Sequence, residues 1–416
     1  MRRASVATVL SLALACAACA QQPAAPPKPS PSSTASPTAA AAATLAAPST
    51  PPVRVTNADC PEPPRPADQF RVTTTAATWK LLDLPERPGA LRGGTPGPGG
   101  ELWAVHDKDW QQGTPVRLTG GDWSDVGLPP GMTTVHQLTA TPGGQVWVAT
   151  PAADAWQVAV HDGGGWRALS IAAPKVDNQP SLSGGDGGWV SYADAAVHWD
   201  GARWTHLRLP EDQGPEVGTE QPLRTPYRLA ASGGEVWALP YQGSRAVRIR
   251  DGVPQQVWFE LKIDKRGAIH DNQGGAFYPQ AVAVPGPDET WVFGSAAFGT
   301  HDSVDAEDTA AGRLVALREA GGRWTCTWGP FHREGFSDTF QDAVEDGRGG
   351  VWVATDGKMW HFGDGRWTGQ PLPVGKAGRP IAQVMDLVRA GDEIYALGAI
   401  VTEGTSRAAT WRLTGS

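Results

Sequence analysis

Short apolar runs in period-two alternation, broken by Gly-Gly and Asp-Gly, fill the chain from about residue 77 to its end. The stretch 349–367, GGVWVATDGKMWHFGDGRW, is the plainest example. It reads as a Gly-Gly turn, an apolar strand carrying Trp352, a second strand, an Asp-Gly turn and Trp367. Alternating Trp, Val, Tyr and Leu suit strands with one buried face, and Gly or Asp-Gly supplies the positive φ that tight hairpins need. The pattern predicts short antiparallel strands joined by tight turns.

The same unit recurs down the chain. Its first aromatic stands at Trp103, Trp147, Trp189, Trp237, Trp291, Trp352 and Tyr395, at intervals of 44, 42, 48, 54, 61 and 43 residues. A second Trp follows the next turn at Trp123, Trp166, Trp204, Trp258, Trp324 and Trp367. The seventh copy of that second Trp is missing near the C-terminus and stands near the beginning instead, as Trp79. Each unit reads as four strands, the innermost exemplified by 133–140, and a unit of this length buries neither face alone, so units stack on neighbours. The expectation is an all-β, seven-bladed β-propeller of four-stranded antiparallel blades over residues 77–416. The N-terminal strand at Trp79 closes the ring by pairing with the C-terminal blade, which removes two exposed edges.

The repeats resemble bacterial two-component-regulator propeller repeats, which share a Gly-x-apolar-Trp-apolar-Ala-Thr strand followed by an Asp-Gly turn. That resemblance implies the fold, and it implies sensors, binding lipoproteins and some enzymes as functions. Trp156, Trp199, Trp360 and Trp411 fall on third strands, so 17 of the 19 Trp read as filling between blades. Trp110 and Trp328 stand outside this register and are candidates for ligand stacking.

The first 56 residues follow other rules. Arg2 and Arg3 precede an apolar stretch at 4–15 that is too short for a permanent anchor, the pattern of an export signal over residues 1–18. The following Ala-Cys-Ala-Ala-Cys resembles the lipobox of bacterial lipoproteins, and the resemblance implies lipidation of Cys19, with a cell-envelope, membrane-anchored location facing the periplasm or exterior. Residues 19–56 are rich in Pro, Ala, Ser and Thr and are expected to be a disordered tether, followed by a lead-in at 57–76. The two cysteines left after processing, Cys60 and Cys326, pair as a disulfide in an oxidising compartment.

A net charge of −8 argues against a phosphate-binding surface, and no nucleic-acid partner is expected. No zinc-protease, nucleophile-elbow, phosphate-loop or dinucleotide motif occurs. In the expected fold, tight turns share one face while second-to-third-strand loops and blade links share the other. Excess length falls on that second face, at 209–225, 259–277, 295–312 and 329–338. Long loops gathered on a rigid scaffold are where binding concentrates. Candidate binding residues are Trp110, Tyr227, His270, Asp271, Tyr278, His301, Asp302, His332, Arg333 and Glu334, with Phe277 and Phe340 also near the channel mouth. The leading expectation is a monomeric, non-catalytic envelope protein that binds a protein or glycan partner through blades 4–6 without a cofactor. The alternative is a metal-assisted lyase or hydrolase at the same face, with Ca²⁺ or another divalent ion held there, for instance by the acidic run 301–308.

Overall fold

The alternating runs fold as seven antiparallel sheets, each laid down in chain order from the inside outwards. The structure is a computed structural model that describes residues 43–45, 51–61, 78–109, 113–151, 156–170, 181–184, 187–192, 195–209, 227–232, 235–240, 244–251, 253–263, 275–286, 288–298, 311–332, 341–355, 357–375 and 380–414. Blade 1 comprises Ala90–Pro96, Leu102–Asp107, Gly113–Thr119 and Asp122–Asp125; blade 2 comprises Gln137–Ala140, Val146–Pro151, Trp156–His161 and Trp166–Ser170. Blade 3 runs through Ser181–Ser183, Gly188–Tyr192, Ala195–Trp199 and Trp204–Arg208, and blade 4 through Tyr227–Ser232, Glu235–Pro240, Arg245–Arg250 and Val253–Glu260. Blade 5 holds Gly275–Gly286, Glu289–Phe298, Ala311–Ala320 and Arg323–His332, and blade 6 holds Asp342–Glu345, Val351–Thr355, Lys358–Gly363 and Arg366–Pro371. Blade 7 takes three strands from the C-terminus, Ile381–Ala390, Glu393–Thr402 and Thr405–Thr414. Its fourth, Thr78–Leu81, comes from the N-terminal side and pairs antiparallel with Thr405–Thr414, Trp79 opposite Leu413. Each innermost strand touches the next around the circle, and that of blade 7 touches that of blade 1. The ring closes as the displaced Trp requires.

Tight turns are built as the sequence implies. Among the described residues Asp251 and Asp364 are the non-Gly residues at positive φ, 53° and 52°, and Gly365 follows at 70°. Each stands in an Asp-Gly pair between third and fourth strands, where both central residues of a primed turn need this region.

What joins the blades is aromatic. The second-strand Trp of one blade meets the fourth-strand Trp of the next edge-on: Trp103 with Trp166 at 6.1 Å, Trp147 with Trp204 at 6.0 Å, and Trp352 with Trp79 at 5.5 Å, all near perpendicular. Such pairs contribute about 0.5–1.5 kcal/mol beyond the area they bury. Between blades 5 and 6 the same space holds Phe293 against Trp367 and Trp291 against Phe362.

A polar bracket orients these rings. In six blades a basic residue, Arg or His, lies directly across from the second-strand aromatic: Arg117, His198, Arg248, Arg318, His361 and Arg412. Blade 2 has Val160 there. Glu101, Glu235 and Glu289 accept the indole N–H of the Trp two residues on, at 3.1, 2.9 and 2.7 Å. In blade 6 the bracket is Asp346, which accepts from His361 at 2.8 Å while His361 leans on Trp352. Burial pushes the Asp346 carboxyl up, but hydrogen bonds from His361 and the N–H groups of Arg348 and Gly350 prevail and hold it at about 2.

Four departures from the sequence reading concern the scaffold. The expected tether ends earlier than residue 56, because Ala43–Leu45 pairs parallel with Trp204–Arg208 and Val53–Thr56 with Val253–Glu260. These outer strands offer unpaired edges, and the Val-Arg-Val alternation places Val55, fully buried, into the core between blades 4 and 5. Trp258 is not an interblade filler. It stands opposite Arg245 at the far end of its strand, with Arg54 and Arg245 at 4.7 and 4.6 Å from its ring centre. Phe259 packs inwards instead, edge-on to Trp324 at 5.9 Å. Trp328 is buried, and its indole donates to the Pro61 carbonyl at 2.8 Å, so it serves to seat the lead-in rather than to stack on a ligand. The innermost strand of blade 2 is also shorter than 133–140.

Cys60 and Cys326 form the expected disulfide, with Cα atoms 4.7 Å apart across 266 residues of sequence. Residues 43–45 and 51–61 thus border the outer strands of blades 3, 4 and 5. The export signal and Cys19 lie outside the described residues.

Reduction of this disulfide should lower unfolding free energy by about 2–4 kcal/mol, read by denaturant titration with and without a thiol reductant. Trp147→Ala should cost about 3–5 kcal/mol, because it empties the contact between blades 2 and 3. Trp258→Ala, on the rim, should cost no more than about 1 kcal/mol in the same titration.

Candidate functional site: the link-side mouth of the channel

The innermost strands enclose a central cavity of about 660 Å³. Each begins at the face where links arrive from the preceding blade and ends at a tight turn on the other, so the link face and the turn face are chemically distinct. At the link end the structure shows a ring that the sequence reading missed. The inner-strand residue paired two positions beyond each second-strand aromatic is Arg92, Gln137, Ser181, Arg228, Ala281, Asp342 and Asp386, in blade order. Six are polar. The signal was available as a polar residue eight to eleven positions ahead of each second-strand aromatic, in every blade but the fifth.

Five of these side chains latch their blade to the next. Gln137 accepts the Leu182 N–H at 2.6 Å, Ser181 the Leu229 N–H at 2.7 Å, and Asp342 the Leu387 N–H at 2.8 Å. Asp386 accepts the N–H of Gly93 in blade 1. Gly93 has φ of 61° and lies in a bulge, and a Cβ on its neighbour Gly94 would sit 2.3 Å from Val388, so blade 1 meets blade 7 here only through glycines. Arg92 reaches forward to the His136 carbonyl and is held by the buried Asp107, whose Oδ2 is 3.0 Å from Nη2. Arg228 spans further. It donates to the Gln341 carbonyl of blade 6 at 2.8 Å, and its other Nη lies 3.7 Å from Asp342. Blade 5, between them, offers only Ala281 at this position, so no side chain obstructs the crossing.

The electrostatics follow from enclosure. Burial raises Asp386, the neighbouring Asp342 raises it further, and Arg228, the Gly93 N–H and Arg92 only partly offset this, leaving it at about 7. Burial likewise raises Asp342. Burial and then Arg92 lower His136, which is therefore a neutral imidazole near pH 7. The mouth combines two guanidinium groups with two neighbouring carboxyls that burial raises, Asp386 to about 7. It can donate and accept hydrogen bonds, and its charge changes with pH.

Of the expected site residues, Trp110, His270, Asp271, His301, Asp302, Arg333 and Glu334 lie outside the described residues, as do Phe340 and the acidic run 301–308. Tyr227 begins the inner strand of blade 4 and His332 ends the outer strand of blade 5, placing both backbones at the link face. Tyr278 is half-buried near the start of the inner strand of blade 5. Phe277 does not line the mouth: it is fully buried, edge-on to Phe259 at 5.3 Å, because the strand's alternation turns it into the core between blades 4 and 5. Among the described residues no three His, Cys, Asp or Glu converge as a metal site.

No protein-family profile matches the chain, and a search of curated proteins returns no match. Solved structures do resemble it. The catalytically inactive virginiamycin B lyase of Staphylococcus aureus with quinupristin superposes with a TM-score of 0.51 at 14% identity, over 82% of this chain and 100% of that one. Ycf48 bound to D1 peptide gives 0.50 at 13% identity, over 84% and 100%. The extracellular domain of a hybrid two-component system from B. thetaiotaomicron gives 0.49 at 11%, over 82% of this chain and 39% of that one. At these identities the likeness is one of fold: this is a seven-bladed propeller similar in architecture to an enzyme and to a peptide-bound protein.

Asp386 holds its proton more tightly folded than unfolded. Its contribution is complete below the ordinary carboxylate pKa and is lost as pH rises through about 7. Asp386→Asn keeps an acceptor for Gly93 and removes the titration. Melting curves from pH 4 to 8 should show the variant gaining on the wild type as pH rises.

Proposed function

We propose that the chain is an envelope-anchored, non-catalytic lipoprotein whose propeller presents the link face, in the sector of blades 4 to 6, to a protein or glycan of the envelope. One observation carries this reading. In the sector of blades 4 to 6 four long connecting segments start and end on one face: Leu209 to Tyr227, Ile263 to Gly275, Phe298 to Ala311, and His332 to Gln341. These segments are therefore rooted together, beside a polar channel mouth. Fold likeness alone does not choose between binding and catalysis.

Blade 5 is built as a mount for this surface. Its second strand runs three to four residues further past its Trp than those of blades 2 and 4, a reach of about 10–13 Å towards the link face. The same blade is braced outside by the Cys60–Cys326 disulfide and the bond from Trp328 to Pro61. Rigid support under long segments lowers the ordering cost of binding. Anchoring rests on Arg2, Arg3, the apolar stretch at 4–15 and the expected lipidation of Cys19, and the intervening residues would hold the ring away from the membrane surface.

Replacing His270, His301, Asp302 and His332 together by Ala should leave capture of the envelope partner only partly reduced, measured by affinity pull-down of the natively anchored protein. A turnover abolished by that variant and by chelation, and restored by a divalent ion, would instead make this face a metal-assisted lyase or hydrolase site.

A further inference from the structure

A second cavity lies on the opposite face, between blades 7 and 1. It measures about 360 Å³, near the lower end of the roughly 300–1,000 Å³ found for small-ligand pockets. Its position coincides with the one blade whose second-strand aromatic is Tyr395 instead of Trp. A phenol fills less of the interblade space than an indole. It also brings a hydroxyl to the wall, where Tyr395 donates to Glu393, which in turn accepts from Arg412 at 3.1 Å. Burial, and then the Glu393 acceptor, push the phenol up to about 12, so it remains a donor at any physiological pH.

The opposite wall carries Glu101, and Asp83 stands exposed beside the cavity. Each glutamate already has its own balancing group. Glu393 has Arg412, while Glu101 accepts from the Trp103 indole and the Gly99 N–H and lies 4.0 Å from Arg117. A strongly charged ligand is therefore not called for. What the cavity offers is spare carboxylate lone pairs and guanidinium N–H groups at its edge, over an apolar wall of Leu82, Leu84, Leu102 and Leu118. Fixed donors and acceptors around a hydrocarbon surface match a ring that carries hydroxyls at its edge and C–H groups on its face.

We infer that the cleft between blades 7 and 1, walled by Tyr395, Glu393, Arg412 and Glu101, is a binding site for a neutral saccharide unit. The site is distinct from the link face, and its occupation does not depend on what that face binds. Six blades of this chain carry Trp at the Tyr395 position, so Tyr395→Trp restores the repeat's own solution and fills the cavity without a foreign side chain. It is a variant that should fold.

The test is saturation-transfer NMR on the purified full chain with glucose, galactose, mannose, fucose and N-acetylglucosamine, each at millimolar concentration. At least one sugar should receive transfer from the wild type. Tyr395→Trp, with melting unchanged, and Glu393→Ala should each raise its dissociation constant at least about tenfold, a change of 1.4 kcal/mol. Asp386→Asn, on the innermost strand of blade 7 where it lines the central cavity and not this cleft, should leave the signal intact. No transfer to any of the five sugars overturns the proposal, and so does transfer that persists undiminished in Tyr395→Trp.

Discussion

The interblade contact is the constraint from which the rest follows. A four-stranded sheet of this length has two faces to cover and is too small to cover either alone, so each blade is stable only against its neighbours. The chain meets this demand with two devices, each used at several of the interfaces. Perpendicular indoles fill the middle, as in Trp103–Trp166, Trp147–Trp204 and Trp352–Trp79, and a side-chain latch ties the inner rim, as in Gln137 to Leu182 and Asp342 to Leu387. Closing the circle with Trp79 is part of the same requirement. Without it, blade 7 lacks its outer strand and Trp352 its partner.

The latches give the channel its chemistry as a by-product of its mechanics. A residue that must accept a neighbour's N–H at the inner rim has to be polar, and six polar side chains brought into one narrow mouth perturb one another. Asp386 and Asp342 illustrate the result: each spends one oxygen on a backbone N–H, and burial raises the pKa of both. Where blade 5 substitutes Ala281, Arg228 crosses the gap to blade 6. The ring is closed there by an arginine rather than by a nearest-neighbour acceptor.

Most of the architecture was legible in the sequence because its determinants are local and repeated. Turn glycines, the Trp register and the displaced Trp79 each predicted a feature that the structure contains, and the Cys60–Cys326 pair predicted the brace. The misreadings came where one position departs from the repeat. Trp258 follows an Asp-Gly turn as the interblade Trp residues do, but its offset within the strand places it on the rim between two arginines. Phe277 and Trp328 have the residue type of ligand-stacking groups, but strand phase turns both into the core. Val53 and Val55 were lost within a Pro-rich stretch whose overall composition outweighed a short alternation. The inner ring went unseen because its members share a position and not a residue type, so no motif search finds them.

The account's central claim is that the link face engages the envelope partner while the scaffold turns its tight hairpins away. Site-specific photo-crosslinking in the producing cell tests it most directly, with the crosslinking residue placed singly at exposed Lys358 and Ile381 on the link face and at exposed Arg323 and Arg366 on the turn face. The account predicts the same discrete protein or glycan adduct from Lys358 and Ile381 and none from Arg323 or Arg366. An adduct formed only from the turn-face positions would contradict it.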